Sequence, residues 1–139
     1  MERKAALRAQ PAEPPPGADP VHPPARVLEF VDALDEYVRV AEPSDPDRPK
    51  MQFLAAATLN HWRQPDAIPR LEDILRGDRG DETVEYAANL LLDSLNRTGR
   101  YDDMAVWVDE LLADRAFMAD KDELRDTLQR LHTGLVARH

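Results

Sequence analysis

Cysteine is absent from all 139 residues, which removes disulfides, thiolate nucleophiles and cysteine-type zinc sites together. Aromatic residues are scarce at 6%, while aliphatic residues and alanine carry the hydrophobic fraction to 42%. That profile favours a helical core of Leu, Val and Ala. No run of about 18 apolar residues occurs, and the opening MERKAALRAQPAEPPPGADP has no apolar region behind its charges, so the sequence predicts neither a membrane span nor a signal peptide. The expectation is a soluble, cytoplasmic chain. Alternating apolar runs bounded by turn dipeptides are missing as well, and no segment reads as a strand.

Residue types that do chemistry are equally thin. Of the two serines, Ser44 lies in a proline-rich connector and Ser94 on a helix beside Leu95. His22, His61, His132 and His139 are dispersed, and none has the H-x-x-x-H or H-E-x-x-H spacing that puts two ligands on one helix face. His61 with a carboxylate from another helix is the best metal candidate, but an isolated helix histidine is ordinarily only a surface side chain. GDRGD, residues 77–81, lacks both the Lys–Ser/Thr pair and the preceding strand of a phosphate loop. The adjacent carboxylates Asp102–Asp103 and Asp109–Glu110 point about 100° apart on a helix, as solvated faces rather than acid/base pairs. The sequence therefore predicts no catalysis, no metal and no cofactor.

What is abundant is negative charge. The formal net charge is −9, and because Glu2, Glu13 and Asp19 balance Arg3, Lys4 and Arg8, the excess falls on residues 26–139. An acidic body repels phosphate backbones and anionic headgroups, so nucleic acid and membrane surfaces are poor candidate partners, and the expectation is no nucleic acid and no membrane insertion. A basic protein surface or peptide would be steered toward it.

The chain is long enough for one ordinary domain and too short for two. Seven of its twelve prolines lie in residues 11–24, where missing N–H groups and fixed φ angles forbid helix and sheet. Residues 1–24 read as a disordered, Pro-rich leader, with a PxxP spacing at Pro11 and Pro14. From Ala25 the period becomes helical. Val27, Phe30, Val31, Leu34, Tyr37, Val38 and Ala41 mark a helix over 26–41, stopped by EPSDPDRP. A second, alanine-rich helix runs over 49–62, and a third follows with Asp66 as its N-cap, Ile68, Leu71, Ile74 and Leu75 as its stripe, and Gly77 as its end. The fourth, 82–97, turns Val84, Ala87, Ala88, Leu91, Leu92 and Leu95 inward. Gly99 makes the turn into a fifth, 101–114, striped by Tyr101, Met104, Val108, Leu111 and Leu112 with Trp107 flanking. In the last helix Asp120 and Glu123 have the form of a capping box, ahead of Leu124, Leu128, Leu131 and Leu135.

The second hairpin repeats the first. Leu59 falls over Leu95 and Asn60 over Asn96 and, after a one-residue gap in the turn, Asp66 falls over Asp103, Leu71 over Val108 and Ile74 over Leu111. The period is 36–37 residues. GRYDDMAVWVDELL resembles the second half of a tetratricopeptide repeat: Gly99 and Tyr101 match the family's Gly-x-Tyr turn, and Ala56, Ala67 and Leu71 match its small and apolar positions. Met104 stands where the family prefers Ala, and WRQP replaces the Gly–Tyr turn in the first copy. The resemblance covers residues 48–115, about two degenerate repeats with single helices on either side. It implies an all-α, short α-solenoid of about six helices over residues 25–139, whose first helices line a concave binding face.

On that face Tyr86, Asn89, Asp93 and Asn96 form a polar stripe with Arg97 one step beyond, and Lys50, Phe53, Ala57, Asn60 and His61 occupy the matching positions. An asparagine amide both donates and accepts, which suits Asn60, Asn89 and Asn96 to gripping an extended peptide backbone; the resemblance implies that use. Some family members clamp a C-terminal carboxylate with Lys and Arg in this groove. Here Asp93 sits in the stripe and only Lys50, Arg63 and Arg97 could supply positive charge, which departs from that pattern. The sequence thus predicts a non-catalytic adaptor for a peptide or helix of a basic partner. Two other classes compete: a subunit that self-associates as a homo-oligomer, or belongs to a larger repeat protein, and a small helical enzyme using carboxylates with a metal.

Overall fold

The computed structural model describes Pro14, Gly17 and residues 19–138, and among them every regular element is a helix. α1 spans Ala25–Val40, α2 Arg48–His61, α3 Ala67–Arg76, α4 Thr83–Arg97, α5 Tyr101–Ala113, α6 Arg115–Met118 and α7 Asp122–Arg138. The chain is all-α, as its periodicity predicts. No helix among the described residues is long and apolar enough to cross a membrane.

Each helix packs mainly on its near neighbours in the chain. α2 touches α1, α3 and α4; α4 also packs on α3 and α5; α5 packs on α7, with the single turn of α6 between them. The main core takes in Ile68, Leu71 and Leu75 of α3, the leucines of α4, Met104, Trp107, Val108 and Leu111 of α5, and Leu124, Leu128 and Leu135 of α7. A smaller cluster joins Val31 and Leu34 of α1 to Ala55, Leu59 and Ala67. Ala55 belongs to the small cluster and its neighbour Ala56 to the large one, so α2 is buried on two sides. It needs small side chains because two helices approach its backbone from different directions.

The two hairpin turns are closed by the same bonds. In the first, Arg63 has φ 54°, its N–H donates to the Asn60 carbonyl (2.9 Å), and the Gln64 N–H reaches back to Leu59 (3.0 Å). In the second, Gly99 has φ 72°, its N–H donates to Asn96 (3.2 Å), and Arg100 reaches Leu95 (2.9 Å). These are helix ends sealed by one left-handed residue. Glycine adopts that conformation without penalty, whereas Arg63 holds it against a cost of about 1 kcal/mol. The first connection is longer because Pro65 disfavours helical dihedrals at Gln64, delaying α3.

A polar bridge also recurs. Arg70 on α3 makes a two-pronged ion pair with Asp35 on α1, at 2.7 and 2.9 Å. Trp107 on α5 donates its indole N–H to Glu72 on α3 at 2.9 Å. Each member of the second pair lies 37 positions after its counterpart in the first.

Several local expectations are corrected. Phe30 is 46% exposed, since α1 buries only the narrower Val31–Leu34 face. Asp66 does stand at the N-cap of α3, but its carboxylate accepts from Arg70 at 3.0 Å rather than capping the backbone. α7 begins at Asp122, so Asp120 lies too early for the expected capping box, and the Lys121 carbonyl accepts the first helical bond, from Arg125. α6 escaped the sequence reading because one turn has no measurable period; Asp114 caps it by accepting from the Phe117 N–H at 3.1 Å, and Phe117 and Met118 are buried. Residues 19–24 are not a free leader: the Val21 N–H donates to Trp62 (3.2 Å), Arg63 Nε to the Asp19 carbonyl (2.7 Å) and Gln64 Nε2 to the Val21 carbonyl (2.7 Å), and Pro23 is fully buried. Residues 19–24 are therefore packed against the first hairpin turn. Most of the expected leader, its PxxP spacing included, lies outside the described residues.

The connector after α1 is pinned by the Tyr37 hydroxyl, which donates to Asp45 Oδ2 at 2.7 Å. That bond pushes the phenol up to about 12 and, together with the Asp47 N–H, holds the Asp45 carboxyl below its ordinary value. The raised phenol stabilises the fold below its ordinary 10.0, and that contribution is lost as pH rises through about 12. The lowered carboxyl contributes above 3.8, and its share is lost as pH falls below that value. Tyr37→Phe should therefore destabilise the chain between these limits, with its deficit shrinking at both extremes; a deficit independent of pH in urea titrations contradicts the assignment. Ala56→Trp should overfill the α2 contact and cost about 2 kcal/mol or more. An unchanged melting temperature would mean that α2 is not closely packed there.

Candidate functional site

The residues predicted to bind a partner divide into three groups. The first is brought together as expected. Phe53 of α2 and Tyr86 of α4 meet with ring centroids 6.2 Å apart and planes tilted by 44°. Tyr86 stays 60% exposed and Leu54 beside Phe53 is 40% exposed, so the pair forms an apolar ledge where the two helices touch. Tyr86, Asn89, Asp93 and Asn96 continue from it along α4, all exposed, over about 15 Å. Lys50 is exposed one turn before Phe53.

The polar members of this stripe are partly engaged already. Asn89 Nδ2 donates to the Glu85 carbonyl of its own helix at 3.2 Å. Asp93 Oδ2 lies 3.3 Å from Arg97 Nε. Asn96 borders a shallow groove of about 90 Å³ with Tyr101, Met104, Arg130, Leu131, Gly134 and Leu135, so its neighbours come from α5 and α7 rather than α2.

The second group is Asn60 alone, and it corrects the expectation. It is only 7% exposed, because α2 is hemmed in by α1, α3 and α4, and its amide cannot grip an external peptide. Asn96, which falls over it in the sequence register, escapes this burial near the end of α4.

The third group is Arg97. Besides its approach to Asp93, it lines a cavity of about 210 Å³ between the two hairpin turns, together with Pro20, Arg63, Gln64, Pro65, Ile68, Ser94, Thr98 and Arg100. Sequence reasoning named Arg63 and Arg97 separately and had no signal that the turns, 36 residues apart, face each other. Elsewhere, Asp73, Asp78, Asp81, Arg48 and Gln52 border a larger depression of about 390 Å³. No group of three His, Asp or Glu side chains among the described residues is arranged to hold a metal ion.

Energetics separate the ledge from the core beneath it. Leu91 is fully buried, and Leu91→Ala should cost about 2–5 kcal/mol. Tyr86→Ala, one and a half turns away on the exposed face, should cost about 0.5–1 kcal/mol; urea denaturation compares the two, and equal losses would place Tyr86 in the core. Comparison with known proteins finds no matching family model, no matching curated protein and no matching solved structure.

Proposed function

We propose that this chain is a non-catalytic interaction scaffold, a short helical-repeat solenoid of tetratricopeptide type, that holds a peptide or helix of a basic partner across the α2–α4 face. The observation that carries this reading is the Phe53–Tyr86 ledge: an aromatic pair in which Tyr86 is exposed and Phe53 half-buried against the core, with exposed Leu54 next to it in the chain and a polar stripe continuing on α4. Exposed aromatics at the junction of two helices supply apolar anchoring area, and the neighbouring amides supply donors and acceptors. The repeated polar bridge and the matched turns support the repeat architecture, since units that contact only their neighbours reproduce the same contacts at the chain's period.

Preference for a basic partner follows from the net charge of −9, which raises the association rate of cations and falls off with salt. Asn60 is removed from the binding set, and Arg97 is assigned to the turns. The binding set is therefore Lys50, Phe53, Tyr86, Asn89, Asp93 and Asn96.

A screen of immobilised basic and acidic amphipathic peptides tests the reading. The intact chain should retain basic peptides selectively, with retention weakening as salt rises. The double variant Tyr86→Ala, Asn89→Ala should lose about tenfold or more in affinity while melting within a few degrees of the parent. Equal retention by both forms would move binding off this face. Concentration-dependent sedimentation without peptide retention would favour the competing reading, a self-associating subunit.

A further inference from the structure

The cavity between the two hairpin turns is chemically unlike the rest of the molecule. In a chain of net charge −9, three arginines, Arg63, Arg97 and Arg100, line it, and among the described residues no carboxylate does. Its walls are fixed by bonds already made. Gln64 Nε2 donates to the carbonyls of Val21 and Trp62, at 2.7 and 3.0 Å, and the Thr98 hydroxyl donates to the Ser94 carbonyl at 2.9 Å. Two of the arginines also bond to the protein around the cavity. Arg63 Nε donates to the Asp19 carbonyl at 2.7 Å, and Arg100 pairs with Asp103 at 2.8 Å.

Arg97 is the member least satisfied by the protein. Its Nε is buried and makes no hydrogen bond: Asp93 Oδ2 lies 3.3 Å away but outside bonding alignment. A guanidinium carries five N–H donors, so charge–charge proximity to one carboxylate leaves most of its bonding capacity unused. A buried Nε–H without an acceptor is costly, and Asp93 and Asp103 offset only part of the positive charge that the three arginines bring to one void.

We infer that this cavity is an oxyanion site that takes a phosphate group, with Arg97 as its principal ligand and Arg100 and Arg63 as flanking cations. A phosphate offers three or four acceptor oxygens in a tetrahedral array, which can meet guanidiniums arriving from the two turns at once. A carboxylate offers two in a plane. The volume of about 210 Å³ accommodates a phosphate group but not a nucleotide, and polymeric nucleic acid is disfavoured by the surrounding acidic surface. The occupant is therefore inorganic phosphate or the phosphoryl group of a small monoester. Its binding would tie the two turns and the 19–21 segment together.

Calorimetric titration of the full chain with inorganic phosphate, at neutral pH and constant ionic strength made up with chloride, tests this directly. One saturable site is expected, and Arg97→Gln should weaken it by about tenfold or more. Should Arg97→Gln fail to fold, Arg100→Gln, at a more exposed position, should still weaken binding measurably. O-phosphoserine run in parallel identifies the source: tighter binding than the free ion assigns a monoester, weaker binding the free ion. Absence of saturable phosphate binding, undiminished affinity in both variants, or acetate binding as tightly as phosphate would overturn the assignment.

Discussion

α2 has to be buried on two sides at once, and the placement of the other helices follows from how it does so. Ala55 and Ala56 are both fully buried, yet one belongs to the cluster under α1 and the other to the core shared with α3 and α4. Side chains as small as methyl groups let neighbouring backbones approach closely without opening voids, which a larger residue at either position would prevent. With α2 so enclosed, α4 meets it along the line where Phe53 and Tyr86 touch. The candidate binding face is thus a by-product of close packing at α2.

The longer helices were legible because their apolar residues repeat at the helical period. α3, α4, α5 and α7 bury most of the stripes expected of them, with Ile74, Tyr101, Leu112 and Leu131 half-buried at the margin. α2 was harder: with two buried faces it has no single apolar stripe, and its alanines carried the signal instead. The candidate binding face was half legible. Spacing alone placed Tyr86, Asn89, Asp93 and Asn96 on one side of α4, and the structure keeps all four exposed. It could not separate Asn60 from Asn96, because the two are equivalent in register and differ only in what the surrounding helices cover.

Features set by tertiary geometry left little trace in the sequence. Trp107 read as flanking its stripe, yet it is buried, because its indole N–H reaches Glu72 while its ring joins the core. Arg76 lies over the same ring, 5.5 Å from its centroid. Arg79 links the α3–α4 connection to α5, bonding Asp114 at 2.9 Å and Glu110 at 3.1 Å. Asp114 is held below its ordinary carboxyl range by the Phe117 N–H and by Arg79. Apart from the local Phe117–Asp114 bond, these contacts join residues 31 to 35 positions apart, beyond the reach of any helical window. They become readable only when one bridge is compared with its counterpart a full period away.

The division of the apolar interior into two clusters has a dynamic consequence. α1 is attached through a cluster containing only Val31 and Leu34 from its own length, together with the Arg70–Asp35 pair and the Tyr37–Asp45 bond. α4, in contrast, contributes six apolar residues to the main core. Opening α1 exposes far less apolar surface than opening α4, so the chain has a hierarchy of cooperative units rather than one uniform barrier. Amide hydrogens of α1 would exchange with solvent by a local excursion that leaves α3, α4 and α5 closed. Such an excursion uncovers the Ala55 side of α2, a surface otherwise concealed, without dissolving the remainder of the fold.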